Sequence, residues 1–507
     1  MIFTSSLRSL KTGLSLLLFF FGSLGFYERL SAETLKEAIA LAYQTNPTLA
    51  SAQAGTKATA ELLAQANAGW RPTAQLIGSV DQEYKDTAHS SLAGNSGFTR
   101  RDGTRAGLEI AQNVYSGGAT EANVQMRKAE VQATIAGYRK TEQDLLLAVI
   151  KAYLEVLRNQ AILDQTQKHL LRLKKEFEQG KARFDLQDIT LTDLAQIEAD
   201  LAQAQSNLIK AEGDLESAQA EYVGVVGKMP DLLIFPEAPL FLPKTKEEAF
   251  EIALNQNPDY IKSQFEEDSY KNNIDIALAS MRPSVDVKLA LTRNENNDSF
   301  AKRSRVYDGV ATASVKVPLD ISGDSQSKVR KARLEASQKR LTRKAIRDKL
   351  SATVSQKMDT LTTTQSQIIR FKELVKFKKI ARDGMALEEE VGARTVNDRL
   401  KAEDEYYEAE VALIDARVKE LISHFELLSE MGELTLARLD VPVMPYNPDS
   451  YVNEVYWAPY NLSVEDDTHS LKGISDGTKN PEKEKKIEEI KDKEEQETIL
   501  EELEKIK

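Results

Sequence analysis

Residues 35–47 read LKEAIALAYQTNP, and residues 246–258 read KEEAFEIALNQNP. Asn46-Pro47 thus returns as Asn257-Pro258 at an offset of 211, and the same offset carries Arg71-Pro72 onto Arg282-Pro283. A repeat of this length makes the chain two copies of one unit, and it defines the fold problem. Each copy reads as a helix, a pair of short alternating strands and then very long helices.

Working outward, the spacing predicts a helix over 33–69. Proline at 72 then forces extended backbone at Arg71. Beyond it Ala74, Leu76, Gly78, Val80 and Tyr84 alternate with Gln75, Ser79, Asp81 and Glu83. A period of two marks a strand with one apolar and one polar face. Residues 86–103 read as a glycine-rich loop. A return strand follows, with Ala106, Leu108, Ile110 and Val114 against Gly107, Glu109, Ala111 and Asn113. Copy two repeats the hairpin: Val285, Val287, Leu289 and Leu291 lie on one side, and Ala311, Ala313, Val315 and Val317 continue it. Past the hairpins Arg127-Lys128-Ala129 matches Arg330-Lys331-Ala332 at an offset of 203, so eight residues are missing, with the loop around 293–304 as the expected place.

Prolines are absent between Pro72 and Pro230 and between Pro318 and Pro442. Each gap can hold uninterrupted helices, because proline breaks a helix interior. The first runs over 119–185, about 100 Å at 1.5 Å per residue. Leu146, Val149, Tyr153 and Val156, then Leu163, Leu170, Leu173, Phe177 and Phe184, have coiled-coil-like spacing. After a turn near 185–191, a return helix over 192–226 carries Ala195, Ala199, Ala202 and Ala204. Copy two has the same plan over 324–390 and 395–432. The expected domains are a leader (1–32), a first repeat (33–229), a Pro-rich linker (230–244), a second repeat (245–437) and a disordered periplasmic tail (438–507).

LSLLLFFFGSLGF at 14–26 follows Arg8 and Lys11 and precedes Ser31-Ala32-Glu33, the pattern of a secretory signal peptide. The other reading of this run is an uncleaved anchor. Cleavage after Ala32 would remove Arg8, Lys11, Arg29 and Glu28 and take the formal charge from −12 to −14. Such an acidic chain does not suit nucleic acid. With no cysteine there is no disulfide, thiolate site or lipidated cysteine anchor. Histidines 89, 169, 424 and 469 show no metal-ligand spacing, and no nucleophile–base set converges. No cofactor, metal site or enzymatic activity is expected.

Four strands with a lipid-compatible face must close if they sit in a bilayer, where every backbone group needs a partner. Membrane barrels start at eight strands, so several chains must share one, and three would give twelve. Trp70, Tyr84, Tyr115 and Tyr307 lie near strand ends, where interfacial aromatics would sit. The alternative is a soluble hairpin packed on helices. The long amphipathic helices would continue the barrel as a hollow cylinder.

At this point the residues resemble the TolC outer-membrane factor family. The resemblance rests on Asn46-Pro47, Asn257-Pro258, Arg71-Pro72, Arg282-Pro283, the Tyr115-Ser116-Gly117-Gly118 run and the turn Val391-Gly392-Ala393-Arg394-Thr395, and it spans roughly 33–435. It implies a mixed α+β homotrimer, with a 12-stranded outer-membrane barrel and a periplasmic α-helical tunnel. It also implies an exit duct for efflux or type I secretion, joined to a periplasmic adaptor and an inner-membrane transporter. By motif position it assigns Thr192 and Asp193 to a periplasmic gate, Arg394 to its basic link and Asp398 to an inward acidic ring. Departures are Gln187 where the first turn usually has glycine, Glu389 in place of an aromatic link, and Lys401 in place of a second ring acid. The competing function is an exported coiled-coil scaffold or adhesin.

Overall fold

The computed structural model describes residues 33–87, 97–236, 242–298 and 304–457. The expected leader, part of the linker and the tail from 458 onward lie outside them, as do His89 and His469. The elements run α1 Leu35–Thr45, α2 Pro47–Ala68, β1 Thr73–Thr87, β2 Gly97–Tyr115, α3 Ala119–Asp185 and α4 Leu191–Val226. The second copy follows as α5 Lys246–Gln256, α6 Pro258–Ala279, β3 Ser284–Asp298, β4 Ser304–Lys316, α7 Asp324–Glu390 and α8 Val396–Met431, with α9 at Pro448–Trp457. Corresponding helices have equal lengths of 11, 22, 67 and 36 residues.

The repeat register differs from the sequence reading. Ala119 corresponds to Asp324, and Gly118 (φ 92°) to Gly323 (φ 75°), both at an offset of 205. The offset therefore falls once, by six residues, within the hairpins, and the 203-residue match is a local coincidence of Arg, Lys and Ala. The strands also reach into both expected loops: β1 and β2 pair from Thr73↔Ala111 out to Thr87↔Gly97, and β3 continues to Asp298. Polar cross-strand pairs sustain these extensions, as where Gln82 donates to Asp102 at 2.9 Å.

The single helix expected over 33–69 is two. Asn46 (φ −73°, ψ 118°) caps α2, its Oδ1 accepting from the amides of Thr48 at 2.9 Å and Leu49 at 3.2 Å. Pro47 stands at N1, where its missing N–H costs nothing. Asn257-Pro258 repeats the device, with Asn257 also donating to the Glu430 carbonyl at 2.9 Å.

The chain divides into two compact units. One comprises Met1–Ile39, Ala148–Leu240 and Leu361–His424. Its core gathers Leu170, Leu173, Ile197, Ala204, Val396 and Leu400, with Phe177 packed against them. The buried stripe of α4 is Ile197, Ala204, Ala211 and Ala218, a strict seven-residue period, whereas Ala195, Ala199 and Ala202 are exposed. In the same unit Glu33 is buried, accepting from the Tyr222 hydroxyl at 2.9 Å and the Asp231 amide at 3.2 Å.

The other unit comprises Ala40–Leu147, Phe241–Thr360 and Phe425–Lys507, and it holds the sheet. Here the expected disordered tail needs correction at its start. Tyr446 lies edge-on to Tyr138 at 5.3 Å, the Tyr451 hydroxyl donates to Glu61 at 2.8 Å, and Val452 packs on the Leu63–Val131–Ile135 cluster. Apolar burial at these positions organises α9 where composition alone suggests a tail. Among the described residues no helix is long and apolar enough to cross a membrane.

Gly432 ends α8 in the left-handed region (φ 81°), and a Cβ there would lie 2.3 Å from the Gln256 carbonyl oxygen. Gly213 stands inside α4 with nothing within 4 Å of such a Cβ. Gly432→Ala should therefore abolish or sharply lower cooperative thermal unfolding followed by helical circular dichroism. Gly213→Ala should raise the midpoint, through a gain of about 0.5–1 kcal/mol in helix propensity.

Candidate functional site

The sheet is fully antiparallel in the order β1-β2-β3-β4. Its register sorts the side chains into rows across all four strands. Leu76, Leu108, Leu291 and Gly309 make one row, and Ala74, Ile110, Leu289 and Ala311 make the next on the same face. The alternation read from the sequence is thus one continuous apolar face. Leu76 is 87% and Val80 82% exposed, so among the described residues nothing covers it there. The opposite face is polar: Gln75 donates to Glu109 at 3.0 Å, Asn113 to Asp286 at 2.8 Å and Asn294 to Asp308 at 3.0 Å. Ile77, Val306 and Val310 break the alternation on that side.

The four aromatics expected at the interface are all exposed. Trp70 lies just before β1. Tyr115 ends β2 opposite Val285, after a register shift that passes over Val114. Tyr307 pairs with Arg293, and Tyr84 with Arg100 near the far end of β1. Val285 to Arg293, the β3 partners of Tyr115 and Tyr307, spans nine residues, within the roughly 9–11 a tilted strand needs to cross a bilayer.

The second candidate site is the pair of helix turns. The first ends α3 with Gln187 in the left-handed region (φ 61°), its amide donating to Phe184 O at 2.8 Å and the Asp188 amide to Arg183 O at 2.9 Å. The second repeats this 205 residues on, with Gly392 (φ 75°) donating to Glu389 O at 2.9 Å and Ala393 to Glu388 O at 2.8 Å. Both are Schellman closures, which favour glycine at the left-handed position. Gln187 thus adopts the conformation its glycine-bearing counterpart predicts, at a conformational cost.

Asp193 and Asp398 begin the return helices as capping-box residues. Thr190 Oγ1 accepts from the Asp193 amide at 3.2 Å, while Asp193 Oδ2 accepts from the Thr190 amide at 3.1 Å and hydroxyl at 2.7 Å. Thr395 and Asp398 repeat the arrangement at 3.2, 3.2 and 2.9 Å. The Thr395 backbone amide, then its hydroxyl, hold the Asp398 carboxyl below the usual carboxylate range. Within one chain Arg394 pairs with Glu388 at 3.0 Å, and Thr192 is exposed. Arg394 lies close enough to Asp398 for its charge to help hold that carboxyl down, while Thr192 and Asp193 stand on the other turn.

The ion pairs that join the two helical hairpins, α3–α4 and α7–α8, are others. Glu389 is buried, with Arg183 Nη1 at 2.5 Å and Arg399 Nε at 3.7 Å. Arg399 also pairs with Glu176, and Arg183 reaches Asp188 at 2.7 Å. Arg183, Asp188, Glu389 and Arg399 line a cleft of about 460 Å³, together with Gly180, Ile189 and Val396 among others. The T-x-x-D spacing is a local capping-box signal, which the sequence reading passed over in assigning both aspartates to the gate. The Arg183–Glu389 link was not legible, since its partners stand 206 residues apart.

Further along the same unit His169 is buried, its Nε2 3.3 Å from Asp404 and its Nδ1 3.7 Å from Glu403. The ring stacks on Tyr407 at 4.5 Å, and Arg172 pairs with Glu403. Burial pulls the imidazolium down, but Asp404 and then Glu403 outweigh it, so the pKa lies above the usual histidine value.

Comparison with known proteins agrees with this architecture. Residues 38–228 and 249–433 match the outer membrane efflux protein family, and the chain belongs to it. Outer membrane efflux protein BepC of Brucella suis is 26% identical over 433 residues, covering 84% of this chain and 91% of its own length. Outer membrane protein TolC of Vibrio cholerae is 24% identical over 356 residues, covering 66% of this chain and 78% of its own. The crystal structure of the Campylobacter jejuni CmeC outer membrane channel superposes with a TM-score of 0.71 at 13% identity, covering 84% of this chain and 90% of that one. The fold is thus that of an outer-membrane channel subunit, and the family carries a transport role. The scaffold or adhesin reading gains no support.

Replacing Gln187 with glycine should stabilise the first turn by roughly 1 kcal/mol, because only an L side chain pays the left-handed penalty; a raised unfolding midpoint checks it. The protonated His169 contributes stability that is complete below its unfolded value of about 6.5 and is lost as pH rises through its higher folded value. The midpoint should therefore fall on titration upward from pH 6.5, and His169→Phe should flatten that part of the profile.

Proposed function

We propose that this chain is one third of an outer-membrane exit duct, passively carrying substrates delivered by an inner-membrane transporter and a periplasmic adaptor of an efflux pump or type I secretion system. The single observation that carries the reading is the four-stranded sheet with one continuous apolar face and two open edges. β1 and β4 each pair on one side only within the chain. An edge in hydrocarbon leaves several backbone groups unpaired, each costing several kcal/mol. Joining β4 of one copy to β1 of the next removes every edge, and three copies give twelve strands, an even number in the range of outer-membrane barrels. The polar face, with Gln75, Glu109, Asn294 and Asp308, then lines a wet lumen.

The helix turns make the periplasmic gate. Asp193 and Asp398 are held at helix starts by their caps, and Arg394 stands exposed beside Glu388, which supports a role for each against a neighbouring copy. The Arg183–Glu389–Arg399 set ties the two hairpins of one copy together and must be loosened, or carried along, when the gate opens. Partly exposed charge links are individually weak, which suits a closure that has to yield. Energy comes from the transporter, since a duct needs none of its own.

Purified protein in planar bilayers tests this. The wild-type chain should form pores of low conductance, and Arg394→Ala, Asp193→Asn and Arg183→Ala should each raise it. The asparagine keeps a capping oxygen at 193, so a rise there reports loss of charge and not of the helix start. Unchanged conductance in all three removes the turns from the gate. Failure of the wild-type protein to form pores overturns the duct itself.

A further inference from the structure

The apolar face of the sheet ends abruptly on one level. Above the Leu76–Leu108–Leu291–Gly309 row, the next row on that face is Gly78, Ala106, Arg293 and Tyr307. The row beyond it is Val80, Thr104, Glu295 and Arg305. Two guanidinium groups thus appear on the outward face at the level of an exposed tyrosine, where hydrocarbon gives way to headgroups. Arg293 Nη2 lies 2.5 Å from Glu295 Oε1, and Arg305 pairs with the same oxygen. Both side chains remain about half exposed, at 47% and 50%. Two guanidiniums carry ten N–H donors, and one carboxylate offers about four acceptor sites. The cluster keeps a net positive charge and donors in excess.

Beneath the guanidiniums the face is hollow. A groove of about 300 Å³ runs over Gly78, Val80, Thr104 and Ala106 to Arg293 and Glu295. Gly78 forms its floor, and a Cβ there would meet nothing within 4 Å. The leucine row is the next row on the same face, so an apolar chain leading that way stays on apolar surface.

We propose that this groove seats a phosphate-bearing lipid of the surrounding membrane, with the headgroup phosphate on Arg293 and Arg305 and an acyl chain lying over Gly78 and Ala106 toward Leu76. The inference rests on the reading of the sheet as a membrane barrel. Arginine suits the role because its planar fork binds phosphate oxygens in pairs. Charge complementarity selects the headgroup, and continuity with the lipid-facing rows selects a lipid over a soluble anion. The site would fix one lipid per chain at the level where the barrel meets its headgroups.

The test is native mass spectrometry of the detergent-purified, delipidated protein, titrated with phosphatidylglycerol or with diacylglycerol of the same chains. Wild-type protein should retain the phosphorylated lipid and not its phosphate-free counterpart, and millimolar inorganic phosphate should not displace it. R293Q/R305Q should weaken retention roughly twenty-five-fold, taking each basic residue near an anionic headgroup as about fivefold. R293K/R305K should recover part of the loss. G78L keeps both charges and fills the floor, so it should also release the lipid. Equal retention of both lipids, competition by inorganic phosphate, or indifference to R293Q/R305Q and to G78L overturns the site. Each variant is also scored for pores in planar bilayers. Intact pores with unaltered lipid retention refute the lipid site alone, whereas no pores from wild-type protein refute the barrel and this site with it.

Discussion

A backbone amide or carbonyl without a partner cannot be kept in hydrocarbon, and the rest of this architecture follows from that constraint. The sheet has four strands, an uncovered apolar face and two edges. It is complete only when other copies supply the missing neighbours. The duplication is well matched to this need: each repeat contributes one hairpin, and in the proposed duct six hairpins from three chains would close a ring. Corresponding helices of the two repeats have equal lengths.

The turns show how function can be set on a stable framework. Each carries the same local devices, a Schellman closure and then a capping box, 205 residues apart. These fix the direction of the chain through purely local bonds. Charges that could act between copies, at Asp193, Asp398 and Arg394, therefore sit on rigid supports. The buried Glu389 is of another kind. Its charge is offset by Arg183 and Arg399 in one chain, and removal of both would leave it uncompensated at a cost of several kcal/mol. Here the aromatic link that the family resemblance leads one to expect is replaced by an ionic one.

Much of this was legible beforehand. Periodicity placed both 67-residue helices at their observed bounds and sorted most strand residues onto the correct faces, because periods of two and 3.6 are properties of the backbone itself. Val114, which the register shift passes over, and Val317, beyond β4, are exceptions. Other features were misjudged for identifiable reasons. Asn46-Pro47 was quoted as a motif but not read as a helix break, although a capping asparagine followed by proline at N1 is a local signal. The alanines at 195, 199 and 202 looked like a packing stripe, yet a neighbouring seven-residue register carries the burial. The ends of the strands looked like loops because their polar pairs mimic loop composition. Tyr446, Tyr451 and Val452 were taken for tail since their partners, Tyr138, Glu61 and the Leu63 cluster, lie hundreds of residues away.

The sequence alone determined the duplication, the alternation of the hairpins, the extent of the long helices and the need for more than one chain. All of these depend on local periodicity or on the count of strands. Only the tertiary structure decided which residues meet: Arg183 with Glu389, His169 with Asp404, and Arg293 with Arg305 around one carboxylate. The first two pairings join helices that no local rule relates, and the third depends on the register of one hairpin. Their geometry depends on strand register and helix rotation, where a shift of one residue would send the same side chain to another face.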